Sequence, residues 1–282
     1  MKWTALFAAG AMSVLRPTGY QSVEILPAWN HTPVRHEIVE FVERTTREAS
    51  PDYVEKSERI ALLRDAGVLW SAGPFSPVEA YISRSSKEMP PPSLLNSYTI
   101  RRYVETWVQT VREEEYNQPY VDLVYQPMKE LIDYLQDHDY RVWVLSESNV
   151  EVVRGVLTQT FKIPPEQVIG APLRSQVAQV KVFEEQGRGP ASVSPIPTDS
   201  ERIYHILGRG PLLTIADARL VEDIRKLSEN WDRRYLTVTM EISTKGGENS
   251  EINGSPQTNS TSAYRINPEE DWSHLYQWQK NP

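Results

Sequence analysis

Three short apolar runs constrain most strongly what this chain folds into. They occupy residues 60–63, 142–145 and 212–215, and none of them contains a charged side chain. Runs of this length suit strands that are buried on both faces, as the strands of a parallel sheet are. The sequence therefore predicts at least three strands that share one sheet interior.

Patterns typical of amphipathic helices accompany these runs. A one-sided apolar stripe predicts a helix over residues 127–136, before the second run, and a helix over residues 149–160 follows that run. The third run precedes a predicted helix over residues 218–228. Because strands that alternate with helices pair in parallel through crossover connections, the sequence predicts an α/β fold. Further predicted elements are helices over residues 34–48 and 98–115, a strand over residues 236–242, and a mobile polar loop over residues 245–263.

The composition limits the class of protein. With 39% hydrophobic residues in a chain of 282, at least one real core is expected. The net charge of −8 argues against general nucleic-acid binding, which needs a basic surface to neutralise phosphates. The absence of cysteine excludes disulfides, thiolate metal sites and a cysteine nucleophile.

The amino-terminal segment, residues 1–22, is similar to a signal peptide. Lys2 precedes an uncharged, largely apolar run over residues 3–15, which is too short to span a bilayer. The prediction is export to the periplasm or the exterior, with a cytoplasmic protein as the alternative and no integral membrane span. A buried apolar segment is the other structural interpretation of this run.

A hydroxyl group lies at the end of the second apolar run. Ser146 follows residues 142–145 directly and precedes a predicted helix, which is where an open α/β sheet binds anions. The alternative is that Ser146 or Ser148 caps the next helix.

Four segments of the chain carry a family resemblance. They are residues 26–30, residues 59–70, residues 144–146 and residues 208–211, in this order. In these four segments the chain resembles the haloacid dehalogenase superfamily, and within that superfamily the phosphoserine-phosphatase-like branch. The resemblance implies a doubly wound parallel sheet, a Rossmann-like core, in which residues 60–63 lie between residues 142–145 and 212–215.

The resemblance also implies a division of the chain. The segment at residues 1–22 would be followed by a core formed by residues 23–73 and 119–282. The cap that covers the active site in this superfamily would correspond to residues 74–118, a short helical insertion. Caps of this kind close the site and help to select the substrate.

The catalytic positions of the superfamily carry the wrong residue types here. In the superfamily a strand ends in Asp-x-Asp-Gly-Thr, where the first Asp attacks phosphorus and the second transfers protons. The apolar run and Gly67 align Arg64 with the nucleophile and Ala66 with the general acid. A guanidinium offers no acceptor lone pair and a methyl group moves no proton. A slip of one residue would make Asp65 the nucleophile instead.

The remaining family positions are only partly kept. Ser146 matches the hydroxyl that holds phosphate, whereas the lysine position falls near Asp199, a reversal of charge. The acidic loop that helps to hold Mg²⁺ aligns with residues 216–221, in which Asp217 is the single carboxylate. At most, Asp217 would therefore supply one ligand to a metal ion. The alternative is that Asp217 caps the following helix.

Three functions remain open from the sequence. The first is a phosphatase-like protein without activity, in which Arg64 and Ser146 bind a small phosphate or carboxylate ligand, or in which Arg64 pairs with Asp65 or Asp217 and fills the cleft. The second is an active phosphomonoester hydrolase that uses Asp65 and Asp217 with Mg²⁺. For the first, no cofactor is expected.

The third function is a protein-interaction module. The aromatic helix over residues 98–116 would supply the docking face, with no partner identified by the sequence. The alternative is that Tyr103, Trp107 and Val111 belong to the interior of the cap.

Overall fold

The fold is built on one six-stranded sheet. The computed structural model describes residues 24–72, 75–85, 96–171, 199–228, 235–241 and 264–280. All neighbouring strands pair in parallel, in the order β3-β2-β1-β4-β5-β6. The strands are β1 (Ile60–Arg64), β2 (Arg141–Asn149), β3 (Val168–Ala171), β4 (Leu213–Ala216), β5 (Leu236–Met240) and β6 (Tyr264–Ile266).

The first strand lies in the middle of this sheet. Leu62 of β1 lies opposite Trp143 of β2 on one side and Thr214 of β4 on the other. The predicted placement of residues 60–63 between the other two apolar runs is therefore confirmed. All four of these residues are buried, as expected of a central parallel strand.

Helices cover both faces of the sheet. Along β1 the side chains alternate: Ala61 and Leu63 belong to the larger apolar cluster, and Leu62 belongs to the smaller one on the opposite face. This is the predicted α/β doubly wound architecture. The helices are α1 (Pro33–Thr46), α2 (Pro77–Ser85), α3 (Ser97–Thr110), α4 (Gln126–Asp137), α5 (Val150–Thr160), α6 (Asp199–Leu207), α7 (Ala218–Ser228) and α8 (Pro268–Asp271).

The third helix differs from its prediction in length and in its buried face. It ends at Thr110, not at residue 115, because the chain turns back and Tyr120 N–H bonds to the carbonyl oxygen of Val111. Its fully buried residues are Ile100, Val104 and Val108, whereas Tyr103 is exposed. The suggestion that Tyr103 belongs to the interior of the cap was wrong, because the buried face of the helix follows the four-residue spacing of Ile100, Val104 and Val108.

The insertion helices pack on the side of the core. Val104 of α3 lies so close to α5 that a methyl group at Gly155 would meet its Cβ at 2.7 Å. Residues of α2 and α3, among them Val78 and Ile100, join the same apolar cluster as the sheet. The boundaries of a cap at residues 74–118 stay a prediction, but its described helices share the core.

Some predicted segments lie outside the residues that the structure describes, and some observed strands were not predicted. The signal-like segment at residues 1–22 lies outside the described residues, as does the polar loop at residues 245–263. The short strands β3 and β6 were not predicted. Within the described ranges, no helix is both long and apolar enough to cross a membrane.

Candidate functional site

Three parallel strands bring the predicted site residues to one edge of the sheet. Arg64 is the last residue of β1, Ser146 lies in the adjacent strand β2, and Asp217 directly follows β4. The carboxyl ends of parallel strands meet at the same edge, which is where ligands bind in open α/β folds. The sheet therefore gathers all three residues at the position expected of an active site.

The Arg64 side chain is enclosed by carboxylates. Its Nη2 donates to Oε1 of Glu147, and its Nε lies 3.6 Å from Oδ2 of Asp217. The side chain is only 13% exposed, whereas Glu147 is 72% exposed. The guanidinium charge at the nucleophile position is thus balanced within the protein.

Asp217 has a second, structural role. Its Oδ1 accepts hydrogen bonds from the backbone N–H groups of Arg219, at 3.0 Å, and Leu220, at 3.1 Å. These are unpaired amides of the first turn of α7, so Asp217 caps this helix. One carboxylate oxygen serves the helix and the other faces Arg64.

Asp65 and Ser146 form a buried pair beside this cluster. Asp65 is 4% exposed and Ser146 is 1% exposed. The Ser146 hydroxyl donates to Oδ2 of Asp65 at 2.5 Å, and the same hydroxyl accepts the backbone N–H of Ser148 at 3.0 Å. Burial raises the pKa of the Asp65 carboxyl, although the bond from Ser146 and the charge of Arg64 oppose this shift.

This pair decides how Ser146 is used. Its only proton points to a carboxyl group of the same chain, so the hydroxyl has no second proton to offer an incoming phosphate. The binding of phosphate at Ser146 stays a prediction. The suggestion that Ser146 or Ser148 caps α5 was wrong, because the cap is Asn149, whose Oδ1 accepts the N–H groups of Glu151 and Val152.

The residues at this edge do not fit a magnesium ion. Mg²⁺ is bound by oxygen ligands, yet the last residue of the central strand is Arg64, and Ala66 has no side-chain oxygen. Asp217 faces the guanidinium instead. Across the described ranges, no group of three or more His, Asp or Glu side chains is arranged to hold a metal ion.

The other cations near the predicted lysine position have partners other than Ser146. Arg209 lies 2.8 Å from Glu58, which precedes β1 and so lies at the amino end of the sheet. Arg202 donates to the carbonyl oxygen of Gly170, near the carboxyl end of β3.

Glu147 is the site residue that the sequence did not predict. It directly follows Ser146, and its contact with Arg64 joins residues 83 positions apart in the chain. The sequence shows an acidic residue at this position, but only the pairing of β1 with β2 brings Glu147 beside Arg64.

Comparisons with known proteins find only distant similarities in structure. No family model and no curated protein matches the chain. Similar solved structures include DsGPDH of Dunaliella salina, with 10% identity over 73% of this chain and a TM-score of 0.31. The chain spans only 25% of the length of that protein.

Two further similar structures are those of a phosphohydrolase-like protein and of a hydrolase. A phosphoserine phosphohydrolase-like protein from Francisella tularensis is 12% identical over 65% of this chain and 87% of its own, with a TM-score of 0.36. A haloacid dehalogenase-superfamily hydrolase of subfamily IA from Geobacter sulfurreducens is 12% identical over 74% of this chain and 92% of its own, with a TM-score of 0.30. TM-scores this low carry no argument about activity, and the fold follows from the strand order and register.

Proposed function

We propose that this protein is a non-catalytic member of the haloacid dehalogenase superfamily, a phosphatase-like protein that has lost phosphohydrolase activity. The single observation that carries the proposal is the Arg64 side chain at the end of β1, enclosed by Glu147 and Asp217. A nucleophile has to offer a lone pair to phosphorus, and a guanidinium has none.

The environment of Asp65 argues against the active alternative. A nucleophilic carboxylate must reach phosphorus, yet Asp65 is buried and accepts the hydroxyl of Ser146. Asp217, its proposed partner in that alternative, faces Arg64 and caps α7. Both carboxylates therefore make structural contacts, and catalysis would have to break these contacts.

The same contacts favour a filled cleft over a retained anion site. An anion that approaches Arg64 meets the negative charges of Glu147 and Asp217, which already neutralise the guanidinium. Binding of phosphate would require the exposed Glu147 side chain to move away. We therefore expect inorganic phosphate to bind weakly, with a Kd on the order of millimolar or above.

Turnover of a generic aryl phosphate tests the proposal. With Mg²⁺ present, the wild-type protein should release no phenol above the uncatalysed rate, because the nucleophile and the proton donor are both missing at the strand end. The double variant Arg64→Asp with Ala66→Asp restores both groups and should give weak hydrolysis. Asp65→Asn serves as the matched control and should leave the wild-type result unchanged.

Two outcomes would contradict the proposal. Robust wild-type turnover that Asp65→Asn abolishes would identify Asp65 as the nucleophile and would establish the one-residue slip in register. In calorimetric titration, micromolar Mg²⁺ binding that Asp217→Ala removes would show that the site holds a metal despite Arg64.

A further inference from the structure

We propose that residues 272–279, which we name the aromatic strap, are a releasable strap that fixes α2 and the chain between α3 and α4 to the core. The strap follows α8 and contributes the rings of Trp272, Tyr276 and Trp278. These rings lie on the connections that join the insertion to the core. Such connections are where an insertion would pivot, so contacts there control its movement.

Ring contacts join the strap to each connection. Trp278 and Tyr276 lie 5.5 Å and 6.1 Å from Tyr116, which belongs to the chain between α3 and α4. The Tyr116 ring in turn lies 5.0 Å from Phe75, two residues before α2. One tyrosine thus connects the strap to the segments on both sides of the insertion.

A second anchor lies where the chain returns to the core. Tyr125, directly before α4, lies 5.1 Å from Trp272 and 6.2 Å from Tyr276. The backbone N–H of Tyr125 donates to the carbonyl oxygen of Leu69, in the turn that follows Asp65. The strap is thereby connected to the turn beside the candidate site.

The core side of the strap is held by main-chain hydrogen bonds. Gln126 N–H donates to the carbonyl oxygen of Leu275 at 2.8 Å, and Ser273 N–H donates to that of Ala28 at 2.9 Å. Trp272 also pairs with Trp29 as an antiparallel bridge, with their rings 5.9 Å apart. The first residues of the strap are therefore the firmly held part.

The insertion side depends on stacked rings that carry an unpaired donor. The indole N–H groups of Trp278 and Trp272 are both buried and have no acceptor among the residues that the structure describes. A buried donor without a partner would bond to water on release, which favours the released state. Stacking and burial oppose release at both ends, but the main-chain hydrogen bonds of Ser273 and Leu275 to the core also hold the first residues of the strap, so the Trp278 end opens first.

Release would loosen the insertion without unfolding it. The close packing of Val104 on Gly155 joins α3 to α5 independently of the strap, and it persists when the rings leave. Local opening of this kind draws on weakly held segments and leaves the central strands protected. The proposed device is therefore a change in the mobility of the insertion, separate from the question of catalysis.

Amide hydrogen exchange of the full chain tests the strap. In Trp278→Ala, amides of α2 and of residues 111–125 should exchange about tenfold faster, while those of β1, β2 and β4 stay unchanged. Tyr204→Ala removes an exposed ring on α6 and is the matched control, for which no change is expected. Gln279→Ala removes the acceptor of the N–H groups of Leu275 and Tyr276 without removing a ring. This second variant should give the same pattern with a smaller increase.

Two results would overturn the proposal. Unchanged exchange in both strap variants would mean that the insertion is held by α5 alone. A uniform rise that includes β1, β2 and β4 would mean that the strap belongs to the cooperative core and releases nothing locally.

Discussion

Two arginines bound the central strand, and their surroundings differ completely. Arg59 directly precedes β1 at the amino end of the sheet, and Arg64 ends β1 at the carboxyl end. Arg59 is 3% exposed and donates to the carbonyl oxygens of Val54 and His138, at 2.9 Å and 3.1 Å. Arg64 instead faces the carboxylates of Glu147 and Asp217.

The difference separates an arginine that is held by backbone groups from an arginine that is held by side chains. The hydrogen-bond acceptors of Arg59 are backbone carbonyl groups, which cannot move away or change their charge, although the Asp139 carboxylate also lies 3.6 Å from its Nη1. The Arg59 guanidinium therefore closes the amino end of the sheet. The partners of Arg64 are side chains at the edge where catalysis would occur, and one of them is largely exposed. The same residue type thus stabilises the fold at one end of β1 and lies in the candidate site at the other.

The largest effect is expected at the amino end. Arg59→Met should lower the free energy of unfolding by about 3 kcal/mol, because the carbonyl groups of Val54 and His138 lose their donors in a buried setting. Denaturant titration measures this loss. Lys56→Met is the matched control. Lys56 is exposed and pairs with Asp139, the carboxylate that also lies near Arg59. The denaturation curve of this variant should stay close to that of the wild type. An equal loss of stability would mean that the effect comes from the contacts of Asp139.

The architecture could be predicted from the sequence because burial marks its central strands. Each of β1, β2 and β4 contains an uncharged apolar run, and such runs fit few other structures. β3 has four residues like β4, but Gly170 interrupts its apolar run, and β6 has only three residues with Arg265 in the middle, so neither shows the continuous apolar run of the central strands. Their place at the two edges of the sheet also demands less apolar character.

The site could be predicted in its residue types but not in its contacts. The alignment put Arg64 where an aspartate would attack, and pairing with Asp217 was one of the alternatives that the sequence left open. The burial of Asp65 was not predictable, since a charged side chain next to a strand end normally faces solvent. Its partner, Ser146, lies 81 residues away in the chain and comes near only through the β1–β2 pairing.

An intermediate effect is expected at Asp65, the neighbour of Arg64 that the fold buries. Because its pKa is raised in the folded protein, the stability that its protonated form contributes is complete below the unfolded value of 3.8 and is lost as the pH rises through the folded value. Asp65→Asn keeps an acceptor for Ser146 and does not ionise. The variant should therefore exceed the wild type in free energy of unfolding by about 1 kcal/mol at pH 8 and lose this advantage toward pH 3.

Chemical denaturation at a series of pH values measures this difference. Other carboxylates titrate in both proteins and cancel in the comparison, so the remaining pH dependence belongs to Asp65. The hydrogen bond from Ser146, the backbone hydrogen bond from Ala66 and the charge of Arg64 oppose the rise in the pKa of Asp65. A variant that is less stable than the wild type at pH 8 would mean that the ionised carboxylate is the form that the site stabilises.

The smallest effect is expected at Arg64 itself. Arg64→Met removes one guanidinium from two carboxylates, of which Glu147 is largely exposed, and pairs of this kind contribute little net stability. The free energy of unfolding should change by less than about 1 kcal/mol, and the change should shrink further in high salt. Arg64→Lys keeps the charge, so its free energy of unfolding should lie between those of Arg64→Met and the wild type. A loss as large as that of Arg59→Met would show that both arginines are structural, and the contrast between the two ends of β1 would then fail.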